Sequence, residues 1–272
     1  MKLRRATISL GVLAILAVAI QCRKDDKSIN FFTVNQDIAF GASMDTLIMD
    51  DPTQFPLLSK SQYPSAYQHI ERIRDNLIAS GQVNYADRFP WVVKIIHNDT
   101  TLNAFAAPGG YMYFYTGIIH FLEDEAEFAG VMAHEMAHCD RRHSTDNMTK
   151  QYGIGIMMGM LLGNNPNQLA EIAAGLASGL SSLAFSRKNE YEADQYAVKY
   201  MSGTDYDPRG LAGFFEKLEG HPTPPTFLST HPSPDDRIEQ IYANWELEGS
   251  KTGERFAIRY QDFKNSLPTP IN

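Results

Sequence analysis

Apolar residues recur at helical spacing from Asp124 to Ser144 (DEAEFAGVMAHEMAHCDRRHS), and the chain reads as organised around that stretch. Asp124 can accept from the first free N–H groups and Glu127 follows three residues on, the pattern of a reciprocal capping box. Phe128, Val131 and Met132 form an apolar stripe, and the small Gly130, Ala133 and Ala137 between them predict a buried helix. A second helical pattern, Ser186 to Met201, places Glu190, Ala193, Asp194, Ala197 and Met201 on one stripe. Around these two, residues 28–60 predict a leading helix and a Pro-containing approach, and Ser65 to Ser80 predict a helix after Pro64, closed by Gly81. The β-branched run Trp91 to His97 predicts a central strand. Tyr111 to Tyr115 predicts a second strand, entered through Pro108-Gly109-Gly110. Asp207-Pro208 should start a helix carrying Leu211, Phe214, Phe215 and Leu218. Ser233 and Pro234 should cap and open another. The apolar pieces Gly153–Gly163 and Gln168–Phe185 are each too short to span a bilayer, and are expected to pack over the core as Gly/Ala-rich helices.

The chemistry lies on the two helical patterns. His134 and His138 are four residues apart, so their imidazoles lie about 40° apart on one helix face, one turn above the other. Both can then reach one ion at about 2.0–2.1 Å, the usual Zn–N distance. Glu135 lies about 100° round the helix, where it can serve as a general base rather than complete the pair. His-Glu-x-x-His on a helix is the zinc-hydrolase signature. The expected third ligand is Glu190, because a carboxylate on an apolar stripe is costly to bury unless a cation satisfies it. Asp194, one turn on, is expected to accept the free N–H of a ligating histidine. Glu192, about 200° from the stripe, should face solvent. His143, about 140° from His138 on a continuous helix, should face away as a polar residue at the helix end. Cys139 should be a small buried filler.

HEMAH, followed by a helix carrying Glu-x-x-Ala-Asp (Glu190, Ala193, Asp194), resembles the gluzincin peptidases of the CAAX-prenyl-protease and HtpX type. It is most similar to their soluble bacterial envelope branch, the outer-membrane quality-control proteases. NAFAAPGGYMYFYTG (Asn103 to Gly117) and STHPSPDDRI (Ser229 to Ile238) agree, and the likeness runs from about residue 50 to 245. The resemblance implies an α+β fold, a mainly helical zincin-like domain with a small sheet, and one Zn2+ per chain. It implies that Asn103, Ala104, Phe105 and Ala106 form an edge strand on which substrate backbone adds as a further strand. It also implies a residue outside the metal helices that meets the charge on the substrate carbonyl. His231 and Arg237 are the candidates; Arg237 could bind the oxyanion or Asp194, and His231 could instead occupy the open metal position at rest. The expected activity is endopeptidase action on unfolded or misassembled envelope proteins. Its partners would be polypeptide substrates and outer-membrane assembly factors. The competing class is a zinc-stabilised chaperone or binding module, whose mark would be loss of Glu135 or a fourth protein ligand.

Composition narrows this picture. Lys2, Arg4 and Arg5 precede 13 apolar-rich residues, Ile8 to Ile20, which match a signal-peptide core. Ala17-Val18-Ala19 fits a conventional cleavage site. Cys22 resembles the acylated first residue of a bacterial lipoprotein, although Gln21 stands where such sites carry a small residue. The run Lys24-Asp25-Asp26-Lys27 resembles signals that place lipoproteins on the cell surface. The expected organisation is a signal peptide over 1–21, an N-terminal segment over 22–50, the peptidase domain over 51–250 and a tail over 251–272. The whole chain carries a formal charge of −8, and losing residues 1–21 removes three basic residues and no acidic one. No basic patch is visible, so nucleic acid is not an expected partner. With only Cys22 and Cys139 present, lipidation of the first would leave no disulfide.

Overall fold

The computed structural model describes residues 31–164, 166–178, 184–219, 226–232 and 236–269. The leader, Cys22, the loop 221–225 and the cap at Ser233 and Pro234 lie outside the described residues.

Helix α1, Val34–Asp50, starts at Thr33, whose hydroxyl accepts from the Gln36 N–H while Gln36 Oε1 accepts from the Thr33 N–H. It buries Phe40, Met44 and Ile48, four residues apart. Helix α2, Pro64–Ile78, has proline at its first position and buries Ala66, Tyr67, Ile70, Ile73 and Leu77. Three strands follow: β1 (Val92–Ile96), β2 (Ala104–Ala107) and β3 (Tyr111–Tyr115). Their order is β1-β3-β2, with β1 parallel and β2 antiparallel to β3. This corrects the expectation that Trp91–His97 would be central. β3 takes that place and all five of its residues are buried, whereas Val92 and Lys94 of β1 are half-exposed. The β2–β3 turn lies against α1. Gly109, at φ +76°, sits so close that a Cβ there would come within 2.6 Å of the Ile38 Cα.

Helices α3 (Thr116–Phe121) and α4 (Glu125–Asp140) come next. Every residue of α4 is buried, so its polar side chains have to be satisfied inside the protein. At its N-terminal end, Glu125 accepts from Arg72 (2.6 and 2.8 Å), Arg259 (2.5 and 2.9 Å) and the Tyr206 hydroxyl (2.7 Å). At the other end, Asp140 accepts from the Asn84 and Tyr85 backbones, the Asn84 side chain and the Tyr200 hydroxyl. Asp124 caps α4 by accepting from Glu127 N–H, but the reciprocal half differs from a capping box. Glu127 Oε2 accepts from the Glu123 N–H, one residue earlier than expected.

The chain continues through α5 (His143–Leu161), α6 (Pro166–Ser178), α7 (Arg187–Ser202), α8 (Gly210–Glu219), α9 (Phe227–Thr230), α10 (Arg237–Leu247) and α11 (Ala257–Asn265). Helix α8 packs closely on α4 because Gly130 has no side chain. A Cβ there would stand 2.7 Å from the Leu211 N. The apolar piece at 153–163 is the second half of α5, kinked at Gly153 (φ +77°). It buries Met157 and Met160 but exposes Ile154 and Ile156, so it covers the core along one side only. Among the described residues no helix is long and apolar enough to cross a membrane.

Candidate metal centre

Helix α4 brings His134, Glu135 and His138 to one buried point, and α7 brings Glu190 and Asp194 to face them. The Nε2 atoms of His134 and His138 are 3.0 Å apart. Glu190 Oε2 stands 3.4 Å from His134 Nε2, and its Oε1 stands 3.5 Å from His138 Nε2. His231, just after α9, contributes Nδ1 at 3.2 Å from His134 Nε2 and 3.3 Å from Glu190 Oε1. Four tetrahedral ligands at Zn–N and Zn–O distances are separated by roughly 3.3 Å along each edge, so these contacts have the dimensions of a zinc shell. The donor chemistry fits as well. Among the described residues both Glu190 oxygens are buried without a hydrogen bond, and only Oε2 has a cationic side chain beside it, that of Arg237, so an ion would offset the cost of burying them. His134, His138, Glu190 and His231 could together hold a metal ion.

The surrounding groups orient these four. Asp194 Oδ1 lies 2.9 Å from His134 Nδ1, on the side of the ring away from the cluster. Arg237, fully buried on α10, donates to both Asp194 oxygens (2.7 and 2.9 Å) and forms an ion pair with Glu190 Oε2 (2.9 Å). Its guanidinium carbon lies 4.0 Å from the centre of the Phe215 ring. Of the two partners open to Arg237 in the sequence, the geometry takes Asp194 and adds Glu190. Arg237 is thus a buried group of the centre, 1% exposed. His231 is fixed by its backbone N–H to Phe227 O and by stacking on the Phe227 ring at 4.3 Å.

The electrostatics follow this packing. Burial would raise the Glu190 pKa, but the charges of His231 and Arg237 and the bonds from both metal-facing histidines hold it well below the ordinary carboxylate value. Burial lowers the His134 pKa, yet Asp194 and Glu190 overcome that and raise it to about 9. Glu135 behaves differently. Burial raises its pKa, only partly opposed by His231, and neither of its oxygens has a hydrogen-bond donor. A carboxyl group of raised basicity beside these candidate ligands is suited to taking and returning a proton.

Two expectations are overturned beside this centre. His143 does not face away: its Nδ1 is 3.0 Å from His138 Nδ1. A continuous helix would turn His143 away, but α4 ends at Asp140. Arg142 then adopts a left-handed conformation (φ +61°), and His143 starts α5 pointing back. Glu192 is not a solvated residue either, since its side chain is 15% exposed and binds Arg141 Nε at 2.5 Å. Cys139 is buried as expected, with its thiol pushed far up in pKa by burial, and its Sγ touches Ala107 O at 3.4 Å. That contact sets β2 beside the metal helix. β2 lies at the sheet edge, buried throughout, with Asn103 O accepting from Tyr115 N–H just before it.

Residues 64–244 match the model of Peptidase family M48. The chain belongs to that family. It is 28% identical over 220 residues to the beta-barrel assembly-enhancing protease of Yersinia pestis, covering 76% of this chain and 43% of that protein. The protein of the same name from Escherichia coli is 30% identical over 193 residues, covering 64% and 38%. The mitochondrial metalloendopeptidase OMA1 of Arabidopsis thaliana is 31% identical over 165 residues, covering 60% and 33%. The match therefore spans less than half the length of each of these relatives. The family match over 64–244 includes α4 and α7, together with His231 and Arg237.

Proposed function

We propose that this chain is a zinc endopeptidase that hydrolyses unfolded or misassembled polypeptides of the bacterial envelope. His134, His138 and Glu190 hold the ion, and Glu135 is the general base. The observation that carries this reading is Glu135 itself, fully buried beside the four candidate ligand atoms with both oxygens free of donors. A purely structural zinc site has no use for such a carboxylate. The ion supplies Lewis acidity, which acidifies water and polarises a carbonyl oxygen. Glu135 accepts the proton of the attacking water and delivers it to the leaving amine. Asp194 fixes the His134 ring by holding its Nδ1, and Arg237 pins Asp194 and Glu190 in turn.

His231 is read as a resting cap, because its Nδ1 lies among the ligand atoms and its Nε2 lies 3.3 Å from Glu135 Oε1. A closed four-ligand set is also the mark of the competing chaperone or binding-module class. The retained Glu135, which makes no hydrogen bond among the described residues and faces only the His231 ring, favours hydrolysis, with His231 moving aside when substrate enters.

The substrate class rests on the relatives named beta-barrel assembly-enhancing proteases, which also support outer-membrane assembly factors as partners. Substrate backbone is proposed to pair along Asn103 to Ala106, at the edge formed by β2. Export, with anchoring of the mature chain through acylated Cys22, is supported by the basic, then apolar, leader before that cysteine. The deciding experiment is hydrolysis of unfolded casein by the zinc-loaded protein. Activity that disappears on chelation and returns with one zinc per chain supports the reading, whereas a fully loaded protein that leaves casein intact refutes it.

A further inference from the structure

Each metal-facing imidazole has a back nitrogen that must be either protonated or bare, and that choice fixes what its front nitrogen can do. For His134 the back nitrogen meets the Asp194 carboxylate, an arrangement common behind metal-binding histidines. For His138 the back nitrogen meets no carboxylate among the described residues. His138 Nδ1 faces another imidazole nitrogen, His143 Nδ1, at 3.0 Å in a fully buried setting. Two bare nitrogens at that distance would repel, and two protonated ones would clash, so one donates and the other accepts.

Chemistry decides the direction. His138 Nε2 lies among the candidate ligand atoms, 3.0 Å from His134 Nε2, and can bind a cation only through a bare lone pair. Its proton therefore sits on Nδ1, and His143 Nδ1 accepts it. The neutral His143 ring must then carry its own proton on Nε2. That atom is buried and faces Glu192 Oε2 at 3.5 Å. The carboxylate is in turn held by Arg141 through its other oxygen, at 2.5 Å. His143 Nε2 makes no hydrogen bond among the described residues, so its link to Glu192 is electrostatic, whereas its Nδ1 contact with His138 is direct.

We propose that His143 is a positioning residue of the metal centre, accepting the Nδ1–H of His138 and relaying the pull of Glu192, so that His138 is locked in its metal-binding tautomer and rotamer. The two glutamates of α7 then have complementary tasks. Glu190 turns inward to the ion, and Glu192 reaches the rear of the second histidine through an intervening ring. The left-handed Arg142 makes this possible, because without the break His143 could not fold back onto the helix it follows. This inference rests on the zinc reading of His134, His138 and Glu190.

The test compares zinc retention, by competition with a soluble chelator, in wild type, H143L, H143N and E192A. Leucine fills the space without an acceptor, whereas asparagine places an oxygen near the position of Nδ1. H143L should bind zinc about 10–100-fold more weakly, the usual cost of losing such a partner. H143N should stay within about threefold of wild type, and E192A should fall between them. Adding E192A to H143L should cost nothing further, since both act through one ring. The thermal midpoint of the metal-free proteins separates this from packing, because a packing role would lower it equally in H143L and H143N. Wild-type affinity in H143L, or equal weakening in H143L and H143N, overturns the proposal. If H143L does not fold, unchanged affinity in E192A overturns it and weakening in E192A, with H143N retained, upholds it. A wild-type protein that takes up no zinc overturns instead the reading on which the proposal rests.

Discussion

His231 Nε2 stands 3.3 Å from Glu135 Oε1, while the Nδ1 of the same ring stands 3.3 Å from Glu190 Oε1. One imidazole thus touches both the candidate base and a candidate ligand, occupying the space between them that an attacking water needs. H231A should therefore retain zinc and raise casein hydrolysis several-fold. A fall in kcat of tenfold or more would instead make His231 a donor to the carbonyl oxygen, whose loss typically costs about 10²–10³ in rate.

Glu135→Gln removes the proton acceptor while keeping size and shape. Hydrolysis should fall below detection while metal analysis still finds about one zinc per chain, because Glu135 is read as base and not ligand. A variant as active as wild type would refute the assignment.

Glu190→Gln should lose zinc on purification, whereas Glu192→Gln should keep it. Glutamine at 190 gives up the charge that binds the ion, while at 192 it alters only a contact with His143, behind the ligands. Metal content of the two purified variants decides between them.

Much of this centre was legible in the sequence, because the period of 3.6 fixes which residues share a helix face. His134 with His138, and Glu190 with Asp194, could be paired that way without any tertiary information. What could not be read was where a helix stops when no glycine or proline marks the end. Asp140-Arg141-Arg142 gives no such signal, so His143 was assigned to the far side of a helix that does not reach it. Glu192 was missed for a related reason: its angle from the buried stripe is as expected, but the start of α5 covers that side too. The strand order was hidden because a short apolar run shows composition but no neighbour. The five buried residues of β3 differ from the alternation of β1 only once packing is known.

Glu125 gives a pH-dependent test away from the metal. Burial raises its pKa, but the bonds from Arg72, Arg259 and Tyr206 more than offset this, so its folded pKa lies below the ordinary 4.5. Its contribution is therefore present above about 4.5 and lost as pH falls through the depressed folded value. Glu125→Gln should destabilise the protein at pH 7 by on the order of 2 kcal/mol, as for hydrogen bonds to a charged group. That difference should shrink below pH 4.5. Denaturant midpoints of the two proteins across pH 3–7 measure it, and a pH-independent gap would refute it.

Cys22→Ser should move the protein from the membrane to the soluble fraction if the cysteine is acylated. Unchanged fractionation would leave Ala19 as the better cleavage position and remove the lipid anchor.

The buried contacts at Glu125 and Asp140 clamp the two ends of α4 to α2, α11 and the segment after α2. A bar fixed at both ends has little room to swing, so His134, Glu135 and His138 would form the stationary half of the proposed site. Opening and shutting must then fall to the opposite jaw, where His231 follows the single turn of α9. Control over the proposed activity would be exercised there, leaving the spacing of His134 and His138 unchanged.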